Sequence, residues 1–290
     1  MTVVTHNMGL AYPKIISDVV EHGDLSSPRG MAIREQRGFH LVLTDPTRPL
    51  VERPNFGKAI MWADIASVVS GTFINTVYDI ASSAETRSLH KASGAYGPRT
   101  YGQVTNVIAE LRRDPDSRRA VVYVGRETDL WNSQDTGEMP CTSLWQFFVR
   151  DGALEMITYM RSWDLVWGLS YDLPVFTTMQ RFIAQQLGLQ LGNYQHFAGS
   201  AHVYERHWNL TNLKEVETPA LSLITPGPND IDGLDHDTAR KSVALMLNVF
   251  AALANAPQLD QSIMDTARWA IVPSALEAFN VLVAKSARLR

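Results

Sequence analysis

The alternation of apolar and polar positions divides the chain into short strands and longer helices. Pro13 to His22 carries apolar residues at helical spacing and predicts a first helix, and Gly38-Phe39-His40-Leu41-Val42-Leu43-Thr44 has the period-two pattern of a strand ahead of a proline-rich turn. Helical spacing then runs over residues 58–82 and again from Tyr101 to Arg113, which stops at the turn-like Asp114-Pro115-Asp116-Ser117. Three strands are expected next, at Ala120 to Val124, Ser143 to Arg150 and Leu154 to Arg161, with Asp151-Gly152 as a tight hairpin between the last two. Leu173 to Leu187 reads as a buried helix and Tyr194 to Val203 as a further strand. Pro226-Gly227-Pro228 and Asp230 to Asp237 precede a tail, Asp235 to Arg290, whose periodicity is mostly helical. The pattern predicts an α+β protein of one domain, residues 1–290, with a helical C-terminal extension from about residue 230.

Composition narrows the classes. With 45% hydrophobic and 19% charged residues the chain is suited to one sizeable core, and it has no run of about 18 or more uncharged apolar residues to cross a membrane. The start Met1-Thr2-Val3-Val4-Thr5-His6 lacks the order of a secretory signal, so a cytoplasmic location is expected, in the host cytoplasm if the source is viral. A formal net charge of -4 argues against a non-specific nucleic-acid coat, which rests on many Lys and Arg contacts to phosphates. The single cysteine, Cys141, rules out an intrachain disulfide and a cysteine-rich zinc site.

Polar residues that periodicity does not explain gather between Arg118 and Tyr204. A lone cysteine is ordinarily an inert core residue, and a lone arginine ordinary surface charge. Here Cys141 follows Met139-Pro140 and precedes a strand, Arg118-Arg119 follow a turn, Arg161-Ser162 end a strand, and His202 and Tyr204 share one strand face. Arginine forks with a hydroxyl are what a phosphate monoester requires for charge-assisted hydrogen bonds.

Taken together, Asp114-Pro115-Asp116-Ser117-Arg118-Arg119, Met139-Pro140-Cys141, Gln146-Phe147, Tyr159-Met160-Arg161-Ser162-Trp163-Asp164, Gly168-Leu169-Ser170-Tyr171-Asp172, Gln185-Gln186-Leu187-Gly188-Leu189 and Ala201-His202-Val203-Tyr204 resemble, in order and spacing, the thymidylate synthases. The resemblance covers roughly residues 96–207, is fainter over 25–95 and does not extend over the last fifty or so. It implies a mixed sheet flanked by helices, in a homodimer whose two sites borrow arginines from each other. By the same resemblance Cys141 is the nucleophile that adds to C6 of a pyrimidine nucleoside monophosphate. Arg161 and Ser162 hold the 5′-phosphate with Arg118 and Arg119 of the second chain, and Arg29 in Ser27-Pro28-Arg29-Gly30 is a further phosphate ligand. His202 and Tyr204 bind the sugar hydroxyl, Tyr96 serves proton removal at C5, Asp64 is a catalytic residue in the place of a helix glutamate that serves the folate and the ring edge, and Asp164 stands on the folate side. Arginines close to Cys141 are expected to lower its pKa.

The departures bear on the base and the product. Uracil-specific members carry an asparagine where this chain has Asp172; a carboxylate accepts from the exocyclic amine of cytosine and, if protonated, donates to the N3 lone pair, whereas the ionised form repels O4 of uracil. The same exchange marks the deoxycytidylate 5-hydroxymethylases, the branch that this chain resembles most. A drifted, solvated aspartate is the plain alternative. Ser82-Ser83-Ala84-Glu85 has no tryptophan and Ser286-Ala287-Arg288-Leu289-Arg290 lacks the family's ending, which suggests that water reaches the bound intermediate, and Thr142 and Met160, in place of a histidine and a glutamine, also separate this chain from the methyl-forming members. The expected activity is one-carbon transfer from 5,10-methylenetetrahydrofolate to C5 of dCMP with water capture, without metal or flavin. Transfer to CMP, C5 methylation of dCMP or dUMP, and a silent nucleotide- or RNA-binding relative are the alternatives.

Overall fold

The computed structural model describes residues 1–56, 61, 64–65, 67–68, 71, 94–131 and 139–221. Most of the helix expected over 58–82, the Ser82–Glu85 segment and the tail from 222 onward lie outside the described residues. Contacts divide the chain into two compact units, residues 1–56 with 103–221 and residues 57–102 with 222–290.

The first unit is built on a sheet of seven strands among the described residues, ordered β1-β3-β7-β6-β5-β4 with β2 paired to β3. The strands are β1 (Thr2–Thr5), β2 (Asp24–Ser26), β3 (Ile33–Leu43), β4 (Val121–Tyr123), β5 (Thr142–Arg150), β6 (Ala153–Asp164) and β7 (Gln190–Tyr204). Helix α1 (Met8–His22) carries the chain between the parallel pair β1 and β3, and α3 (Trp167–Leu187) carries it between the parallel pair β6 and β7, as parallel pairing requires a crossover. Helix α2 (Tyr96–Arg113) precedes β4. The β5–β6 hairpin turns on Asp151 and Gly152, both at positive φ, 50° and 74°, which is why Asp-Gly stands there. This is the mixed sheet flanked by helices that the sequence predicts.

One face of the sheet is the core. Phe39, Leu41, Trp145, Phe147, Leu154, Met156 and Tyr194 are fully buried, against Met8, Tyr12, Ile15, Ile16 and Val19 of α1 and Leu169, Leu173, Phe176 and Ile183 of α3. Each such large apolar side chain contributes about 1.5–3 kcal/mol by its removal from water. Gln180, fully buried on α3, donates from Nε2 to the carbonyls of Leu154 at 2.9 Å and Gly192 at 3.0 Å, fixing the helix across β6 and β7. On the other face Val42, Leu144, Phe148, Ile157 and Tyr159 are half-exposed and Phe197 is exposed, with His40, Phe197 and Tyr159 stacked across three strands at centroid distances of 4.1 and 5.5 Å.

Three helices begin earlier than the sequence predicts, α1 at Met8, α2 at Tyr96 and α3 at Trp167, and for α1 and α3 a proline explains the difference. Pro13 suggests a first helical turn, yet it lies inside α1, which starts at Met8 behind the cap Asn7. Pro13 has no N–H to give the Gly9 carbonyl, and that carbonyl accepts instead from Val216 N–H at 3.1 Å. Asn7 Oδ1 accepts from Gly9 N at 2.9 Å and from Thr218 Oγ1 at 3.0 Å, while its Nδ2 donates to Thr218 O at 2.9 Å. Likewise α3 contains Pro174 and starts at Trp167.

The inward alternation shifts by one residue in two neighbouring strands. On β7 the buried positions pass from Tyr194, His196 and Ala198 to Ala201 and Val203, and on β6 from Met156, Thr158 and Met160 to Trp163. Gly199 marks the shift, because a Cβ there would lie 2.9 Å from the Arg161 carbonyl. Gly38, at φ +65°, is the neighbouring position on β3. Beyond this row the strands turn Trp163 into the core, and Asp164, His202 and Glu35 come side by side.

Candidate active site

Cys141 immediately precedes β5, and β6 pins it. Arg161 N–H donates to the Cys141 carbonyl at 2.9 Å, while the Arg161 guanidinium donates from Nε to Pro140 O at 3.1 Å and from Nη2 to Met139 O at 2.8 Å. The Met139-Pro140-Cys141 bend is thus clamped by the arginine that the sequence assigns to phosphate. Cys141 is half-buried as a residue, and its thiol is densely surrounded by protein. Its pKa is raised rather than lowered, which corrects the sequence-based expectation. Burial disfavours the thiolate, and the opposing charge of Arg161 and a smaller one from Arg29 are countered by the carboxylates of Asp172 and Asp164.

A row of polar residues crosses the sheet beside this bend: Asp164 on β6 pairs in register with His202 on β7, which pairs with Glu35 on β3. His202 is buried and its pKa is depressed, by burial above all, against the pull of Asp164 and of a hydrogen bond to the Ser200 backbone, so burial favours the neutral ring. Its ring meets Tyr204 edge-on at 5.0 Å, as period two along β7 predicts. Arg29, in an exposed turn at φ +55°, hydrogen-bonds the Tyr204 hydroxyl, and its charge is felt at Cys141, His202 and Tyr204. The loosest of the sequence matches therefore lies with the others.

Two carboxylates flank the start of α3. Asp164 Oδ1 accepts from the backbone N–H of Val166 at 2.8 Å and Trp167 at 3.1 Å, and so caps the helix, whose formal cap residue Val166 has no side-chain acceptor. Asp172, half-buried in the second turn, accepts at Oδ2 from the indole Nε1 of Trp163 at 3.2 Å.

Sequence reasoning missed three buried groups. Arg53, only 9% exposed, lies at 5.0–5.5 Å from the ring centres of Trp167, Tyr171 and Phe56 and donates from Nε to Ser170 Oγ at 2.9 Å, but its Nη2 has no partner. Its charge acts on the Tyr12 hydroxyl, also buried and unpartnered, whose pKa is raised by burial. His196 is fully buried between Tyr194, whose hydroxyl is 2.9 Å from Nδ1, and the indole of Trp163. Strand alternation flags His196, since it falls between Tyr194 and Ala198 on the inward face; nothing local flags Arg53.

Ser162 is half-buried on β6 beside Ser200. Arg118 and Arg119 are exposed ahead of the edge strand β4; the Arg118 carbonyl accepts from Gln146 Nε2 at 3.1 Å, four residues and roughly 13 Å along β5 from Thr142, and Arg119 Nε is 3.4 Å from Glu110. In the second unit, Asp64 is half-buried and helical and Tyr96 opens α2, its carbonyl accepting from Thr100 Oγ1 at 2.9 Å. No group of His, Cys, Asp and Glu among the described residues is arranged to hold a metal ion.

Cys141, Arg161, Arg29, His202, Tyr204, Asp164 and Asp172 thus gather around the ends of β6 and β7 within one unit. The family model described as thymidylate synthase matches residues 61–238, more than half of the chain. The chain belongs to the thymidylate synthase family, whose members transfer a one-carbon unit from methylenetetrahydrofolate to C5 of a pyrimidine nucleotide.

Proposed function

We propose that this chain is a cytosine-nucleotide C5 hydroxymethyltransferase, acting on dCMP with 5,10-methylenetetrahydrofolate. The observation that carries the reading is Asp172, a carboxylate held as an acceptor at the start of α3 and close enough to Cys141 for its charge to act on the thiol. An acceptor suits the exocyclic amine of cytosine and opposes O4 of uracil. Cys141 Sγ, as thiolate, adds to C6 of the ring, so that C5 becomes nucleophilic; this divides a hard substitution into easier steps. C5 bonds to the new carbon and loses its proton, the step assigned to Tyr96; the bond from that carbon to the folate nitrogen then breaks, and tetrahydrofolate leaves with the electron pair, so that an exocyclic methylene stands at C5. Water adds its hydroxide to this methylene and its proton goes to the departing folate nitrogen, the electrons returned to C5 expel Sγ from C6 as thiolate, and no net oxidation or reduction occurs. Methylenetetrahydrofolate supplies the carbon at the oxidation level of formaldehyde. The unpartnered Arg53 Nη2, beside the aromatic faces of Trp167 and Tyr171, and the Tyr12 hydroxyl, which feels the charges of Arg53 and Asp164, fit a flat heteroaromatic ring carrying acceptors. The absence of tryptophan from Ser82-Ser83-Ala84-Glu85 favours water capture over reduction to methyl.

Arg161, Ser162 and Arg29 hold the 5′-phosphate in this reading, and His202 and Tyr204 the sugar. Arg118 and Arg119 serve the site of a second copy. Two observations favour such a homodimer: these arginines lie well along β5 from their own Cys141, and the half-exposed apolar sheet face with its His40-Phe197-Tyr159 stack is suited to a matching sheet. Incubation of the purified protein with methylenetetrahydrofolate and equal dCMP, CMP, dUMP and UMP, followed by mass spectrometry, tests the reading. Hydroxymethyl-dCMP is expected from the wild type and none from Cys141→Ala, which still binds dCMP. A CMP product changes the sugar, a methyl product the fate of the methylene, a uracil product the role of Asp172, and no product favours a silent nucleotide binder.

A further inference from the structure

We propose that Trp163 is a positioning residue for base selection: its indole N–H claims one carboxylate oxygen of Asp172 and thereby fixes what residue 172 presents to the pyrimidine. The inference rests on the reading of Asp172 as the residue that meets the base. An indole has one donor and no acceptor, so the 3.2 Å contact from Nε1 to Oδ2 has only one sense, with Asp172 accepting. A proton on Oδ2 would oppose that donor, and an N–H is bound more strongly by an ionised carboxylate than by a neutral carboxyl, so the indole also works against a proton on the other oxygen. The carboxyl group is therefore held as an acceptor.

The indole itself has little freedom. It is fully buried, stacked on His196 with ring centres 3.7 Å apart and planes 12° from parallel, and tilted against Phe39 at 6.0 Å. His196 is in turn held by the Tyr194 hydroxyl. On the other side Gly168 leaves room, since a Cβ at that position would lie 3.2 Å from Asp172 Oδ2 and 3.5 Å from Trp163 Cδ1. Were residue 172 an asparagine, the same indole would draw the amide oxygen and turn the NH2 toward the base, converting an acceptor into a donor. Trp163 thus makes residue 172 a two-position code, acceptor for cytosine and donor for uracil.

The test is competition between dCMP and dUMP in the wild type, Trp163→Phe, Asp172→Asn and the double variant. Loss of one hydrogen bond predicts that Trp163→Phe lowers the dCMP-over-dUMP ratio of kcat/KM about tenfold, mostly through KM for dCMP. In the double variant the effect of Trp163→Phe on that ratio differs from its effect in the wild type, because the two side chains act as one unit. If Trp163→Phe lowers activity on both nucleotides equally and leaves the ratio unchanged, Trp163 only fills space and the inference falls. Should Trp163→Phe fail to fold, the indole 15N–1H spectrum of the wild type and Asp172→Asn decides: one resonance moves if the bond exists, none if it does not. A wild type that prefers dUMP sinks the reading of Asp172 itself, whereas a cytosine-selective wild type with an unchanged ratio in Trp163→Phe overturns the role of Trp163 alone.

Discussion

The cap of α1 and the surroundings of Cys141 are both rich in buried polar atoms, but they treat those atoms in opposite ways. At Asn7 both the side-chain oxygen and the amide nitrogen find partners, in Gly9 and Thr218, within 3.3 Å. Around the Cys141 site and α3, the Nη2 of Arg53, the hydroxyl of Tyr12 and the Nε2 of His196 have none. Unmet buried polar groups are rare and cost stability. The first region is finished by the chain alone, whereas the second keeps capacity to bind.

Substitutions that separate these two kinds of polar group give the comparison its sharpest tests. Asn7→Ala removes a cap and leaves Gly9 and Thr218 unmatched, so urea unfolding is expected to show a loss of about 3 kcal/mol; a loss below about 1 kcal/mol would break the contrast. Next comes pH. Burial, aided by the charge of His40, depresses the His196 pKa from 6.5 to about 3, so the unfolded chain takes up the proton first. The stability from keeping this ring neutral is present above pH 6.5 and is lost as pH falls toward 3, by about 2 kcal/mol between pH 6.5 and 4.5. His196→Gln should flatten that slope in unfolding curves measured at each pH. The smallest effect is expected at Tyr12→Phe, which removes a hydroxyl that bonds to nothing in the folded chain; its stability should stay within about 0.5 kcal/mol of the wild type.

Strand positions were legible because one face of each strand is buried, so that Phe39, Leu41 and Leu43, or Leu154 and Met156, announce themselves by period two. The starts of α1 and α3 were not, since Pro13 and Pro174 look like boundaries and only a partner more than 200 residues away makes Pro13 tolerable inside its helix. Of the site, Cys141, Arg161, His202 and Tyr204 could be read from motif and register, and the structure brings them together. The thiol's raised pKa could not, because it depends on how burial and the carboxylates of Asp172 and Asp164 weigh against Arg161. Arg53 carries no local mark of burial: its aromatic neighbours Trp167 and Tyr171 are more than a hundred residues further along.

The bonds from Asn7 and Gly9 to Val216 and Thr218 join positions 207 to 211 residues apart. A ribosome adding about 5–20 residues per second takes roughly 10 to 40 s to travel that distance. During translation α1 therefore waits with its cap unmatched on the far side and the Gly9 carbonyl unclaimed. The edge of the sheet that α1 and β1 build is completed only once Thr218 has been made, so truncation before Thr218 removes support from the very first helix.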